Sequence, residues 1–288
     1  MKNTMKLWGM IALAAVIGFT MTACPTEDDG GGPSSFLGPD LELKGQVWDV
    51  DINEDDFIVT YTPYNSPVTI SDIGSGSVTD GYLNYTITGA PAGLESLEDY
   101  LEYFYFWDNI QVSSSGVQGY LLSGLSVTSP NTYDALRKSY STMKINYNTF
   151  TASGSDEAVM YIYVDSDVTI TGKGIKDVEA GIDADTGLPY TNTFITNSFN
   201  LALKKGWNAL HEKVSITMRI TATATAAITE TVTISMANPA HLRWTLDDGA
   251  GSSGYGSSGS ILVLPQELRS LSGSFGFNAL KRPFIFYP

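Results

Sequence analysis

Three Asp-x-Asp pairs, Asp49/Asp51, Asp165/Asp167 and Asp183/Asp185, have the residue type and spacing that hard cations favour. Residues two apart on a strand point the same way, so each pair offers two carboxylates to one ion. The best loop among them is Asp183-Ala-Asp185-Thr-Gly187, compact and closed by glycine, which makes Asp183 and Asp185 the calcium candidates. Asp49 to Glu54 opens like a twelve-residue calcium loop. It fails at two positions, because Glu54 stands where the turn glycine belongs and Thr60 where a bidentate Glu belongs. Aspartate is also a common turn former, so the plain expectation for all three pairs is turn structure and surface charge, with no metal bound.

Aromatic residues are the second group with chemistry to offer. Tyr100, Tyr103, Phe104, Tyr105, Phe106 and Trp107 crowd one segment, while Trp48, Trp207 and Trp244 sit on or beside strand-like runs. Exposed rings stack on sugar faces, whereas buried ones are core; helical periodicity places Phe104 in the core. Catalytic constellations are missing. His211 and His241 are the only histidines, without a His-Glu-x-x-His or Cys/His grouping for zinc, and each reads as a lone surface or turn residue. No Gly-x-Ser-x-Gly elbow occurs, and neither does a phosphate-binding or dinucleotide-binding glycine pattern. The expectation is no catalytic residue, no cofactor and no enzyme. The alternative is a glycan-active enzyme whose two carboxylates converge in space rather than in sequence.

Cys24 is the single cysteine, so disulfides cannot staple the fold. It follows a basic start (Lys2, Lys6), an apolar run from Leu7 to Phe19 and the small-residue approach Met21-Thr22-Ala23. That order is the pattern of a secretory signal, and the run falls short of the ~20 residues that span a bilayer. It resembles the lipobox of bacterial lipoproteins, with Met21 where Leu is commoner. The resemblance implies a diacylglyceryl thioether on Cys24, cleavage after Ala23 and a third acyl chain on the new amine. Two or three chains make a stable anchor where one does not. The expected location is lipid-anchored and extracytoplasmic, on the periplasmic face or the cell surface.

Without residues 1–23 the chain holds 14 basic and 31 acidic residues, a formal charge of −17. Such a surface repels phosphate backbones, so no nucleic-acid partner is expected, and the membrane is met through the N-terminal lipid alone. Residues 1–23 are read as the signal peptide and 24–41 as a flexible charged tether. Residues 42–246 carry the folded body, either one domain or two subdomains meeting near 128–156. A Gly/Ser linker covers 247–260, and 261–288 form a C-terminal tail.

The elements of the body are mostly strands. Leu41–Ile52, Phe57–Tyr61, Val68–Ser71 and Ser77–Thr88 are separated by Pro, Gly, Asn and Asp. Leu94, Leu97, Leu101 and Phe104 share one face of an amphipathic helix, and a second short helix is expected over Tyr133–Tyr140. Met160, Ile162, Val164, Val168 and Ile170 share a parity, giving a half-buried strand or two joined by a bulge near Ser166. From Val214 to Met236 the apolar residues keep even parity with Thr and Ser between them. Twenty-three residues exceed one strand, so the chain folds back around Thr223–Ile228. The predicted class is an all-β antiparallel sandwich with one inserted amphipathic helix; the alternatives are a lipocalin-like barrel or two small β-domains.

The run Tyr161–Gly174, then Phe199-Asn-Leu-Ala-Leu-Lys-Lys-Gly-Trp-Asn208, resembles segments of predicted spirochaete (treponeme-like) cell-envelope lipoproteins. Ser77–Tyr85 is similar to their earlier half. The resemblance implies an envelope lipoprotein family of unknown function and carries no functional residue over. The combined expectation is a membrane-anchored, non-enzymatic binding, adhesion or envelope-structural module with a glycan or protein ligand. A lipocalin-like small-ligand carrier is the further alternative.

Overall fold

The computed structural model describes residues 35–53, 58–104, 107–128, 135–146, 149, 151–182, 189–220 and 225–247. Cys24, Asp183, Asp185, residues 24–34 of the expected tether and the tail beyond 247 lie outside them; residues 35–41 are no flexible tether, since Phe36–Gly38 pairs as a strand with Trp207 and Asn208 and Leu41 is buried. The chain opens with β1 (Phe36–Gly38), β2 (Leu41–Asn53) and β3 (Ile58–Pro63). Next come β4 (Thr69–Ile70) and the hairpin of β5 (Ser75–Thr79) and β6 (Tyr82–Ile87). After β7 (Glu95–Ser96) the 3₁₀ helix Leu97–Phe104 leads to β8 (Asp108–Val112), β9 (Gln118–Leu122) and β10 (Leu125–Thr128). The long pair β11 (Ala135–Asn146) and β12 (Thr151–Val164) precedes β13 (Val168–Lys173), β14 (Lys176–Ile182) and β15 (Pro189–Thr196). Finally come β16 (Phe199–Leu203), β17 (Gly206–Ile220), β18 (Ala226–Met236) and β19 (Arg243–Asp247).

The main sheet runs β14-β15-β18-β17-β12-β11-β19-β2-β6-β5, and a small sheet runs β16-β13-β8. Strands β12 and β17 pair over fourteen residues at its centre, from Thr151↔Arg219 to Val164↔Gly206. Both faces of this pair are buried between residues 159 and 164. One face packs Met160, Ile162, Val164 and Leu210 against Val168, Ile170 and Leu201 of the small sheet, with Phe104. The other packs Val159, Tyr161, Tyr163 and Trp207 against Leu41 and Leu43 of β2 and Leu83 and Tyr85 of β6. Apolar residues on both parities are the mark of a strand covered on two sides. The fold is all-β and sandwich-like.

Several expectations need correction. The sheets do not close, so the lipocalin-like barrel is excluded. The sheet is mixed rather than antiparallel throughout, since β15 pairs with β18, and β19 with β2, in parallel. The inserted helix is a 3₁₀ helix of eight residues, too short for the α-helical face the Leu spacing suggested. Tyr133–Tyr140 is no helix where described: Ala135 onward is strand β11, held by β12 and β19 on its two sides. The parity break near Ser166 is a turn between sheets, because β12 ends at Val164 and β13 joins the small sheet. Ser77–Thr88 is likewise two strands, folded at Asp80-Gly81.

Candidate polar and aromatic site

Along one face of β12 the residues change character: Ser153 and Ser155, then Glu157, then Val159, Tyr161 and Tyr163. Along β17 the order is reversed, from Trp207 and Ala209 through His211 and Lys213 to Ser215. Antiparallel register superposes the two boundaries. Glu157 lies between Tyr140 and Lys213, and the next row is Lys138, Val159 and His211. The functional groups therefore gather where the apolar core ends on this face.

Glu157 is the hub. Its side chain is 8% exposed, Lys213 Nζ donates to Oε1 at 2.8 Å, and Oε2 receives His211 Nε2 at 3.1 Å and His241 Nε2 at 3.0 Å. For both imidazoles to donate to one oxygen, each carries its proton on Nε2. His241 comes from the β18–β19 connection, which is also tied down by Lys138 Nζ donating to Asn238 Oδ1 at 2.5 Å. Burial alone would raise the Glu157 carboxyl, but the Lys213 ammonium and the two imidazoles outweigh it and hold it below the ordinary range. His211 is shifted down because burial penalises its cation more than Glu157 stabilises it. Burial also lowers Lys138. Among the described residues no group of three His, Cys, Asp or Glu is arranged to hold a metal ion. Both Glu157 oxygens are already engaged.

A band of rings continues from His241. The His241 and Tyr140 rings meet edge-on at 5.8 Å, and Tyr140 stacks on Tyr61 at 5.2 Å with planes 14° apart. The Tyr61 hydroxyl is fixed by the Ser141 backbone, accepting from its N–H at 2.6 Å. Arg243, the first residue of β19, places Cζ 4.4 Å from the Trp48 centroid, 4.8 Å from Tyr61 and 5.8 Å from Tyr140. Trp48, Tyr61, Tyr140 and Arg243 are all partly exposed, and His241 is 54% exposed. Among the described residues the Arg243 guanidinium donates no hydrogen bond and forms no ion pair, and neither the Trp48 indole N–H nor the Tyr140 hydroxyl has a protein partner. The band thus joins partly exposed rings to unspent donors.

On the opposite face, reached by the other parity, Asp156 accepts from Ser141 Oγ at 2.9 Å. Glu212 lies beside it, half-buried, with its carboxyl pushed up to about 7 by burial and then by the Asp156 charge. Glu230, buried on β18, is pushed up to about 6 by burial.

The other residues singled out in the sequence fall elsewhere. Asp165 and Asp167 are turn residues: Asp165 accepts from the Gln118 N–H at 3.1 Å, and Asp167 from the Lys205 N–H at 2.8 Å and Lys204 Nζ at 2.9 Å. Asp49 is on β2, and the Asp51 side chain is outside the described residues. Trp107, Trp207 and Trp244 are core, as is Phe104, while Trp48 and Tyr100 are partly exposed; the side chains of Tyr103, Tyr105 and Phe106 lie outside the described residues. The two histidines, expected to be separate, converge on one carboxylate. Glu157, Lys213, Tyr61, Tyr140 and Arg243 went unrecognised. The switch from polar to apolar on odd positions of 153–163 was a usable signal for Glu157. Nothing local marks Arg243, because its rings come from three other strands.

Comparison of the chain with protein-family models, curated proteins and solved structures finds no match.

Proposed function

We propose that this chain is a lipid-anchored, extracytoplasmic binding protein of the bacterial envelope, non-enzymatic, that takes a glycan on the Trp48–Tyr61–Tyr140–His241 band. The anchor is assigned to Cys24 on the residues preceding it, and the tie to spirochaete envelope lipoproteins on the three segments named above. The ligand face rests on one observation: partly exposed aromatic rings beside donors that no protein group uses among the described residues. Sugars present C–H faces to rings and hydroxyls to donors, and both needs are met in one place.

The enzyme alternative required a cleft combining paired carboxylates with exposed rings. The close acids, Asp156 and Glu212, are on the face opposite Glu157 and its histidines, and Asp156 is joined to the band through Ser141, whose Oγ donates to it while its N–H donates to the Tyr61 hydroxyl. The test is a glycan and extracellular-matrix panel probed with the mature protein and with a Trp48→Ala/Tyr140→Ala variant of matched thermal stability. Glycan binding that the variant loses supports the assignment. Binding unchanged in the variant, or hydrolysis of a bound glycan, contradicts it. Radiolabelled palmitate should enter the wild-type chain and not Cys24→Ser.

A further inference from the structure

The ligand's chemistry can be narrowed at Arg243. Its guanidinium carbon lies within 4.4–5.8 Å of three ring centroids, a cation–π contact that consumes none of its N–H donors. Among the described residues none of those donors meets a protein acceptor. A flat guanidinium with a free edge matches a carboxylate in bidentate geometry, a match that an ammonium cannot reproduce. The Trp48 indole N–H and the Tyr140 hydroxyl beside it suit hydroxyl-bearing rings better than a peptide chain. Two acids bear on the band: Glu157 is neutralised by Lys213 and touches both imidazoles, and Asp156, whose charge reaches Tyr61, accepts from Ser141 Oγ.

We propose that the band recognises an acidic sugar, a uronate-type residue whose carboxylate chelates Arg243 while its ring stacks on the neighbouring aromatics. This rests on the glycan reading above and specifies the class of glycan. The chain's net charge of −15 opposes any anion at long range, so recognition is a contact effect rather than electrostatic steering.

The test compares a glucuronate-containing oligosaccharide, its carboxyl-reduced counterpart and a poly-glutamate peptide by calorimetry, using the full mature protein. Wild type should bind the carboxylated sugar roughly tenfold or more tighter than the reduced one, the worth of a charge-assisted bidentate contact. Arg243→Lys keeps the charge and loses the fork, and should erase most of that preference. Trp48→Ala should weaken both sugars alike. Equal affinity for the two sugars in wild type overturns the acidic-sugar assignment while leaving a glycan binder standing. Tighter binding of poly-glutamate than of either sugar overturns both. The wild-type comparison needs no variant, so a poorly folding Arg243→Lys protein does not rescue the proposal.

Discussion

At the scale of single residues, Glu157 decides how the site is held together. It is a buried carboxylate with three cationic or donor partners, two of them largely exposed. Removing it strands Lys213 and His211 beside an apolar face. Glu157→Ala should cost about 1–3 kcal/mol, below the figure for a fully buried pair because solvent can reach Lys213 and His241. Chemical denaturation measures it, and a change under half a kcal/mol would show that the carboxylate does not organise the cluster. The other face gives a pH signature. Glu230 and Glu212, raised to about 6 and about 7, hold protons in the folded state that an unfolded chain releases above the ordinary value of 4.5. Their stabilisation is complete below that value and is lost as pH rises through 6 and 7. Glu157 and His211 are shifted down and act with the opposite sign, losing stability on acidification. Glu157 acts only below its ordinary 4.5, so melting between about pH 5 and pH 8 sets the two raised carboxyls against His211. In Glu212→Gln/Glu230→Gln the Tm should climb with pH more steeply than in wild type; parallel profiles would contradict the raised carboxyls.

At the scale of elements, the legible parts were those written in a period of two. The even-parity run from Val214 to Met236 became the antiparallel pair β17 and β18, with the reversal somewhat earlier than the expected Thr223–Ile228, since β17 ends at Ile220 and β18 already begins at Ala226. Where tertiary context overrides local pattern, the sequence misled. Tyr161 and Tyr163 looked like a wet face, yet both are buried because β2 and β6 cover that side. The site was partly legible for the same reason. Trp48 carries a visible functional group on a strand, but its partners arrive by pairings more than ten residues to almost two hundred residues away in sequence. One turn helps place it. Asp80 and Gly81, at φ of 50° and 73°, form the two-residue loop between β5 and β6. The Gly81 carbonyl accepts from the Val47 N–H at 2.8 Å, next to Trp48. A Cβ on Gly81 would lie 1.8 Å from the Tyr64 carbonyl oxygen, which accommodates nothing. Gly81→Ala should therefore destabilise by about 1–3 kcal/mol or more and weaken glycan binding as well. Unchanged Tm and unchanged affinity together would sever the turn from the ring band.

At the scale of the whole molecule, an acidic β-body on a lipid tether would resist nonspecific contact with nucleic acid and anionic headgroups, leaving recognition to one local patch. That patch has a convenient reporter. Once residues 1–23 are removed, four tryptophans remain; Trp107, Trp207 and Trp244 are buried, while Trp48 is partly exposed beside Arg243. The most direct measurement is acrylamide quenching of tryptophan fluorescence with and without a saturating glycan ligand. Quenching should fall on binding, and Trp48→Phe should remove both the quenchable fraction and its protection. A glycan that binds while the Trp48 signal stays fully quenchable would place the ligand elsewhere and contradict the account.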